Sequence, residues 1–386
     1  MKYPVFKPNP SPDIANKLSQ AFLNGEVSGS FGAAIEDLNN FYQLTHSGYF
    51  ATSCSSGTAA LHLCCLALGV NVQSNVAVAN ITNMASFFAP IYCGANVYPV
   101  EVNEQSGLIC PRELDNLCQL VNIDYLIIVH LYGQLCDVSA VKFLAKKYNF
   151  KVIEDCAESH FASFDNKFAG SFFDASAFSF YANKIIWSGE GGLCLFKNQL
   201  DLDRANYLKA LGFSSDSNDP SRFYHNDIAF NYRLSNLNCL IAYENSKNYT
   251  HLIEARYRIA SIYNELFNGK HYIYSLPVDK PRLKVYWVYF IELTQAAIDS
   301  FDSKQDLFLS LQKHGIQCRD FFYPANHQPF LINFAKSKDY KLDPCSSAFV
   351  NSMSFYKRGI YLPFYEGLEV NDIQYIVNAL DQIFNV

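Results

Sequence analysis

The stretch Leu126–Ile153 constrains the fold more tightly than any other part of the chain. Leu126-Ile127-Ile128-Val129 is a short unbroken apolar run, the pattern of a strand covered on both faces. After Tyr132-Gly133-Gln134 comes Asp137, a natural N-cap, and Val138, Val141, Leu144, Ala145 and Tyr148 then recur at helical spacing. Lys142, Lys146 and Lys147 fall on the opposite, solvated face. Lys151-Val152-Ile153 opens a second strand at once. Strand, amphipathic helix and strand within about thirty residues form a βαβ unit, which implies a parallel sheet with helices on both faces. The predicted class is therefore α/β.

Neighbouring segments obey the same logic. Ala59–Leu68 reads as a helix apolar on nearly all sides, closed by Gly69 as a C′ residue, and such a helix belongs between a sheet and a further layer. Val76–Ala79 and Asn96–Val100 read as further strands. From about residue 250 the pattern changes to a long helix (Ile253–Phe267), a strand near Val285–Glu292 and a closing helix over Asp372–Phe384. A boundary near residue 245 divides a large α/β domain (1–245) from a smaller C-terminal α+β domain (246–386), and 386 residues suffice for two domains.

Composition removes several classes of function. Half the residues are hydrophobic and 17% are charged, which excludes a disordered chain. Thirty basic against 36 acidic side chains give a net charge of −6, so no basic surface is offered to nucleic acid or anionic lipid. The longest apolar runs fall short of the roughly 20 residues that cross a bilayer. Met1-Lys2-Tyr3-Pro4 opens no secretory signal, so a reducing cytoplasm is expected. The twelve cysteines show neither C-x-x-C nor C-x-x-x-C spacing, and no metal centre is expected. No G-x-G-x-x-G or P-loop pattern supports a dinucleotide or nucleoside triphosphate site.

Three segments carry chemistry. Ser55-Ser56-Gly57-Thr58 opens the buried helix, where small residues, hydroxyls and backbone N–H groups suit an anion. By itself this is equally an ordinary N-cap. Glu154-Asp155 ends the strand that starts at Lys151, and the carboxyl ends of parallel strands are where α/β sheets bind ligands. A plain loop cap is the alternative. Ser179-Phe180-Tyr181-Ala182-Asn183-Lys184, followed by Gly189-Glu190-Gly191-Gly192, sets a lysine among aromatic and apolar residues. Desolvation there frees the amine lone pair for Schiff-base chemistry, although a turn lysine is ordinarily a solvated charge. Pyridoxal 5′-phosphate needs all three: a helix tip for its phosphate, a carboxylate for its ring nitrogen and a lysine for its aldehyde.

On these residues the chain resembles the DegT/DnrJ/StrS sugar aminotransferases, and within them the perosamine-synthase type. The matching segments include SSGTAALHL (Ser55–Leu63), VHLYGQLCD (Val129–Asp137), VIEDCAESH (Val152–His160), GSFFDASAFSFYANK (Gly170–Lys184), SGEGG (Ser188–Gly192), NYRLSNL (Asn231–Leu237) and RDFFYP (Arg319–Pro324), spread over nearly the whole chain. The resemblance implies a fold-type I pyridoxal enzyme, with Lys184 linked to the cofactor and Asp155 on its ring nitrogen. It further implies that Ser56, Gly57, Thr58 and Ser179 hold the phosphate, and that Glu158 faces the phenolic oxygen. Asn231 is implied to reach the phosphate of a neighbouring subunit's cofactor, hence a homodimer with shared active sites. Asn183, His225, Arg319 and Tyr323 are the implied sugar-nucleotide contacts. The implied reaction moves the amino group of glutamate to a nucleotide-linked 4-keto-6-deoxyhexose, as in lipopolysaccharide or O-antigen biosynthesis.

Four positions depart from the family pattern. Asn83 stands where an aromatic ring commonly stacks on the cofactor, Trp187-Ser188 replaces Thr-Thr, and Ala229 replaces Gly. Three rival readings follow from the same resemblance. A 3-aminotransferase is the first, and a pyridoxal-binding protein without turnover is the second. The third, a sugar dehydratase, would carry His in place of Lys184.

Overall fold

The βαβ unit lies at the centre of a seven-stranded sheet. The computed structural model describes residues 1–214, 219–277, 283–338, 340, 342–345 and 349–385. The strands are β1 (Phe50–Cys54), β2 (Asn75–Ala79), β3 (Asn96–Val100), β4 (Tyr125–Val129), β5 (Lys151–Asp155), β6 (Ser163–Phe164), β7 (Lys167–Phe168), β8 (Ala175–Ser179), β9 (Gly192–Phe196), β10 (Ile273–Ser275), β11 (Tyr289–Leu293), β12 (Arg319–Asp320) and β13 (Gly359–Leu362). The large sheet has the order β1-β9-β8-β5-β4-β2-β3, and β6 and β7 form a small hairpin beside it. β3, β2, β4, β5 and β8 pair in parallel, whereas β9 runs antiparallel to both its neighbours.

Alternating side chains divide between the two faces. Val76, Val78, Ile127 and Ile153 join Leu61, Leu63 and Phe87 in one core. Ala77, Ala79, Leu126, Ile128 and Val152 join Leu38, Tyr42, Val141 and Leu144 in the other. Each large side chain buried in this way stabilises the fold by about 1.5–3 kcal/mol, and burial on both faces explains the unbroken apolar runs. The helix Gly57–Leu68 is enclosed between the sheet and the helices Ala85–Tyr92 and Gln199–Lys209, as its all-round apolar surface predicts. Ser56 Oγ caps it by accepting from Ala59 N at 3.1 Å, and Gly69 ends it at φ +94°. Asp137 caps the helix Val138–Tyr148 by accepting from Ala140 N at 2.9 Å.

In the C-terminal part, the antiparallel sheet β10-β11-β13-β12 packs with the helices Tyr249–Phe267 and Val370–Ile383. Tyr263, Phe267, Tyr289, Ile291, Ile376 and Leu380 share its core. The expected strand over Val285–Glu292 is half right. Only β11, from Tyr289, joins the sheet, because the residues before it cross back to the Tyr132-Gly133 turn beside the large sheet. There Val285 N donates to Gly133 O at 2.9 Å, so closely that a Cβ on Gly133 would sit 1.8 Å from Val285 O. That approach, together with φ +83°, is why the Tyr132-Gly133 turn needs glycine.

Glu154 turns away from the carboxyl edge and serves the fold. Its carboxylate accepts from Gly170 N (2.8 Å), Phe172 N (2.8 Å), Phe173 N (3.1 Å) and His130 Nε2 (3.1 Å). His130 Nδ1 accepts from Cys136 N at 3.2 Å, which places its proton on Nε2. Although Glu154, His130 and Cys156 lie close enough to surround a metal ion, the carboxylate is already spent on N–H donors. Glu154→Ala orphans these buried donors. It is expected to lower the unfolding free energy by about 3 kcal/mol, read as a shifted urea midpoint.

Candidate active site

All the strands of the large sheet except β9 bring their carboxyl ends to one edge. Because β9 is reversed, its first residue joins them there: Gly192 pairs with Ser179 on one side and Cys54 on the other. The helix tip at Ser56, the end of β8 and the glycine run therefore meet. A Cβ on Gly192 would lie 2.3 Å from Ser56 O, and one on Gly57 would lie 2.7 Å from Ser179 Cβ. Only glycine permits this closeness, which leaves the N–H groups of the helix's first turn lining a cavity of roughly 400 Å³.

Lys184 enters the same cavity from the loop after β8, where its N donates to Tyr181 O at 2.8 Å and holds a tight turn. Its side chain is buried, and Nζ stands 3.9 Å from Glu158 Oε1. Burial pulls the amine below its usual range, while Glu158 and Asp155 oppose that shift. Asp155 is buried at the end of β5, accepting from Ser86 Oγ at 2.7 Å and Ala157 N at 3.1 Å. Burial raises its carboxyl, and those two donors together with Lys184 draw it back. Glu158 accepts from Tyr132 N at 2.7 Å, and burial pushes its carboxyl up against the pull of Lys184.

Nine of the twelve expected site residues therefore gather around one cavity: Ser56, Gly57, Thr58, Asp155, Glu158, Ser179, Asn183, Lys184 and Arg319. Within it, Ser56 spends its hydroxyl on the helix cap, so its contribution to an anion is the helix tip. Asn183 Oδ1 is buried without a hydrogen-bond partner among the described residues. Arg319 lies at the rim with its guanidinium over the Phe6 ring at 5.5 Å, and it has no carboxylate partner among the described residues. The other three lie outside. Asn231 is exposed, with Oδ1 accepting from Arg233 Nε at 3.2 Å. His225 is exposed, and its Nδ1 meets Leu211 O at 2.9 Å. Tyr323 packs on Tyr356 at 5.0 Å.

Among the departures, Asn83 lines the cavity with Oδ1 accepting from Ala85 N at 3.0 Å, so no ring comes from this position. Trp187 is half-buried, with its carbonyl accepting from Asn245 Nδ2 at 2.8 Å. Sequence reasoning passed over Ser86, the backbone of Tyr132 and Trp287. Trp287 gave one usable signal, being one of two tryptophans in the chain.

These residues fit pyridoxal phosphate: the glycine-lined helix tip suits its phosphate, Asp155 its ring nitrogen and Lys184 its aldehyde. Fold and site together define a pyridoxal phosphate-dependent aminotransferase of the α/β type. More narrowly, the chain belongs to the DegT/DnrJ/EryC1/StrS aminotransferase family, which matches residues 13–381. The GDP-perosamine synthase of Vibrio cholerae is 30% identical over 99% of both chains, and that of Escherichia coli O157:H7 is 29% identical over the whole of both. The crystal structure of an aminotransferase from Psychrobacter cryohalolentis superposes with a TM-score of 0.86 over 98% of both chains, at 21% identity. Gly57→Ala forces the helix tip away from Ser179. It is expected to weaken pyridoxal phosphate binding by at least about tenfold in an absorbance titration while leaving the fold intact.

Proposed function

We propose that the protein moves the amino group of glutamate to the keto carbon of a nucleotide-linked 4-keto-6-deoxyhexose, in the manner of a perosamine synthase. The observation that carries this reading is the convergence of Lys184, Asp155 and the Gly57 helix tip on one cavity. Full-length similarity to GDP-perosamine synthases supports the choice of a 4-keto sugar over a 3-keto sugar. Retention of Lys184 favours transamination over dehydration or mere binding. A cytoplasmic enzyme fits a nucleotide-sugar substrate.

When bound, the cofactor supplies an electrophilic aldehyde and a sink for the electrons of the substrate's α-carbon. The chain's own residues do the rest. N–H groups of Gly57 and Thr58 anchor the phosphate, and Ser179 closes that end. Asp155 holds a proton on the ring nitrogen, an interaction that strengthens as negative charge moves toward the ring, so it accelerates the reaction rather than only tightening binding. The Lys184 amine would take the proton from the donor's α-carbon and later deliver one to the sugar carbon. The lowered affinity of its buried amine for protons fits that base. Arg319 at the rim offers a fork of donors to the substrate's diphosphate.

The reading includes a homodimer with shared sites. Phe223, Tyr224 and Ile228 are 76%, 78% and 89% exposed in the segment that also carries His225 and Asn231, and such an apolar surface calls for a cover. A second copy of the chain would bring Asn231 and His225 to its neighbour's cavity. We also retain the division near residue 245: the hydrophobic core of the C-terminal part draws on residues from 259 to 384 together with Tyr3.

Mass analysis after incubation with glutamate and a panel of 4-keto-6-deoxy sugar nucleotides tests the reaction. The expected product carries an amino group in place of the keto oxygen, and Lys184→Ala lowers turnover by at least about a thousandfold. An unaltered sugar, or an active Lys184→Ala variant, contradicts the proposal. Shared sites make a separate prediction. Equal mixing of inactive Lys184→Ala and Asn231→Ala subunits is expected to restore about a quarter of wild-type activity, because half the dimers then hold one intact site. No recovery after verified subunit exchange would place Asn231 in its own subunit's site.

A further inference from the structure

Trp287 is the cavity residue to which neither the spacing of motifs nor the family resemblance gives a role. It comes from the segment that crosses from the small sheet back over the large domain, and its ring is buried. The ring centroid lies 3.9 Å from Lys184 Nζ, while the nearest carboxylate oxygen, on Glu158, is also 3.9 Å away and beyond hydrogen-bond reach. The indole N–H donates to Asn183 O at 2.9 Å, the residue just before the lysine. Tyr132 and Phe322 stack alongside the ring at 6.3 and 6.4 Å, so it has no freedom to turn. Asn83, where relatives commonly carry an aromatic ring, offers none.

We propose that Trp287 is a positioning residue for amine transfer: its π face holds the Lys184 amine toward the cavity, and its N–H fixes the turn that carries the lysine. This rests on the reading of Lys184 as the cofactor-linked, proton-carrying lysine. An aromatic face attracts an ammonium but cannot accept its proton, whereas a carboxylate or water in the same place could take it. The ring face therefore holds the amine without drawing off its proton. The other ionisable groups lining the cavity are Asp155 and Glu158, Tyr181 and Glu190 from the lysine's own loop, and Arg319, Asp320 and Tyr361 from the small sheet. A change at position 287 removes none of them.

The test is the pH dependence of the rate at which cofactor-free protein takes up pyridoxal phosphate, followed by the visible absorbance of the lysine-bound cofactor. Only the free amine attacks the aldehyde, so the midpoint reports the proton affinity of Lys184. Trp287→Leu keeps the pocket apolar and removes the π face, and its midpoint is expected to fall by about one pH unit. Trp287→Phe keeps a ring, and its midpoint stays within about 0.3 unit of wild type. A Leu variant that titrates with wild type, or a Phe variant displaced as far as the Leu variant, overturns the proposal. Wild-type protein that gains no visible absorbance overturns instead the reading of Lys184. Should the Leu variant fail to fold, Trp187→Phe leaves Trp287 as the sole tryptophan. Its emission is expected to be quenched when pyridoxal phosphate binds, and unquenched emission overturns the proposal.

Discussion

Everything in the site depends on one constraint, that an amine has been taken out of water beside two carboxyl groups. A lone buried ammonium is expensive, and so is a lone buried carboxylate. Here Lys184 lowers the cost of Glu158 and of Asp155 and each of them lowers that of Lys184, while the two carboxylates oppose each other, and Trp287 adds a face that attracts charge without accepting a proton. Burial draws the amine's proton affinity down and the two carboxylates draw it back up.

The sheet makes that constraint affordable. Parallel strands deliver Asp155 and Ser179 to the same edge, and the reversal of β9 brings the glycine run to meet the tip of the buried helix. Glu154, one residue before Asp155, points the other way by the strand's alternation and ties down the loop 170–173 with N–H bonds to its carboxylate. Neighbouring acids on one strand thus take opposite duties, one in the core and one in the cavity. The C-terminal sheet closes the site from outside with Arg319, Asp320 and Tyr361. Glu101 accepts from the first N–H groups of the helix Val350–Arg358, and Gly133 lets the Val285–Val288 crossing lie flat against the Tyr132 turn.

The fold was legible where periodicity carried it. The run Leu126–Val129, the Asp137-capped helix and the all-round apolar helix after Ser56 each stand where their patterns place them, because burial on both sheet faces leaves the sequence little choice. Val285–Val288 was not legible: an apolar run that crosses over another sheet has the same composition as a strand. Within the site, Lys184, Asp155 and Gly57 could be read from flanking residues. Trp287, Ser86 and the Tyr132 amide could not, since tertiary contacts alone bring them to Lys184, Asp155 and Glu158. Asn231 and His225 lie on the exposed surface of the single chain, outside the cavity that gathers the other site residues.

The central claim is that the Lys184 amine is the one that bonds the cofactor. Borohydride reduction of the pyridoxal phosphate-loaded protein, followed by proteolysis and mass mapping, tests it most directly. The account predicts the reduced cofactor's mass on the peptide containing Lys184 and on no other. The same mass on half-buried Lys209 or buried Lys284, with Lys184 unmodified, would contradict it.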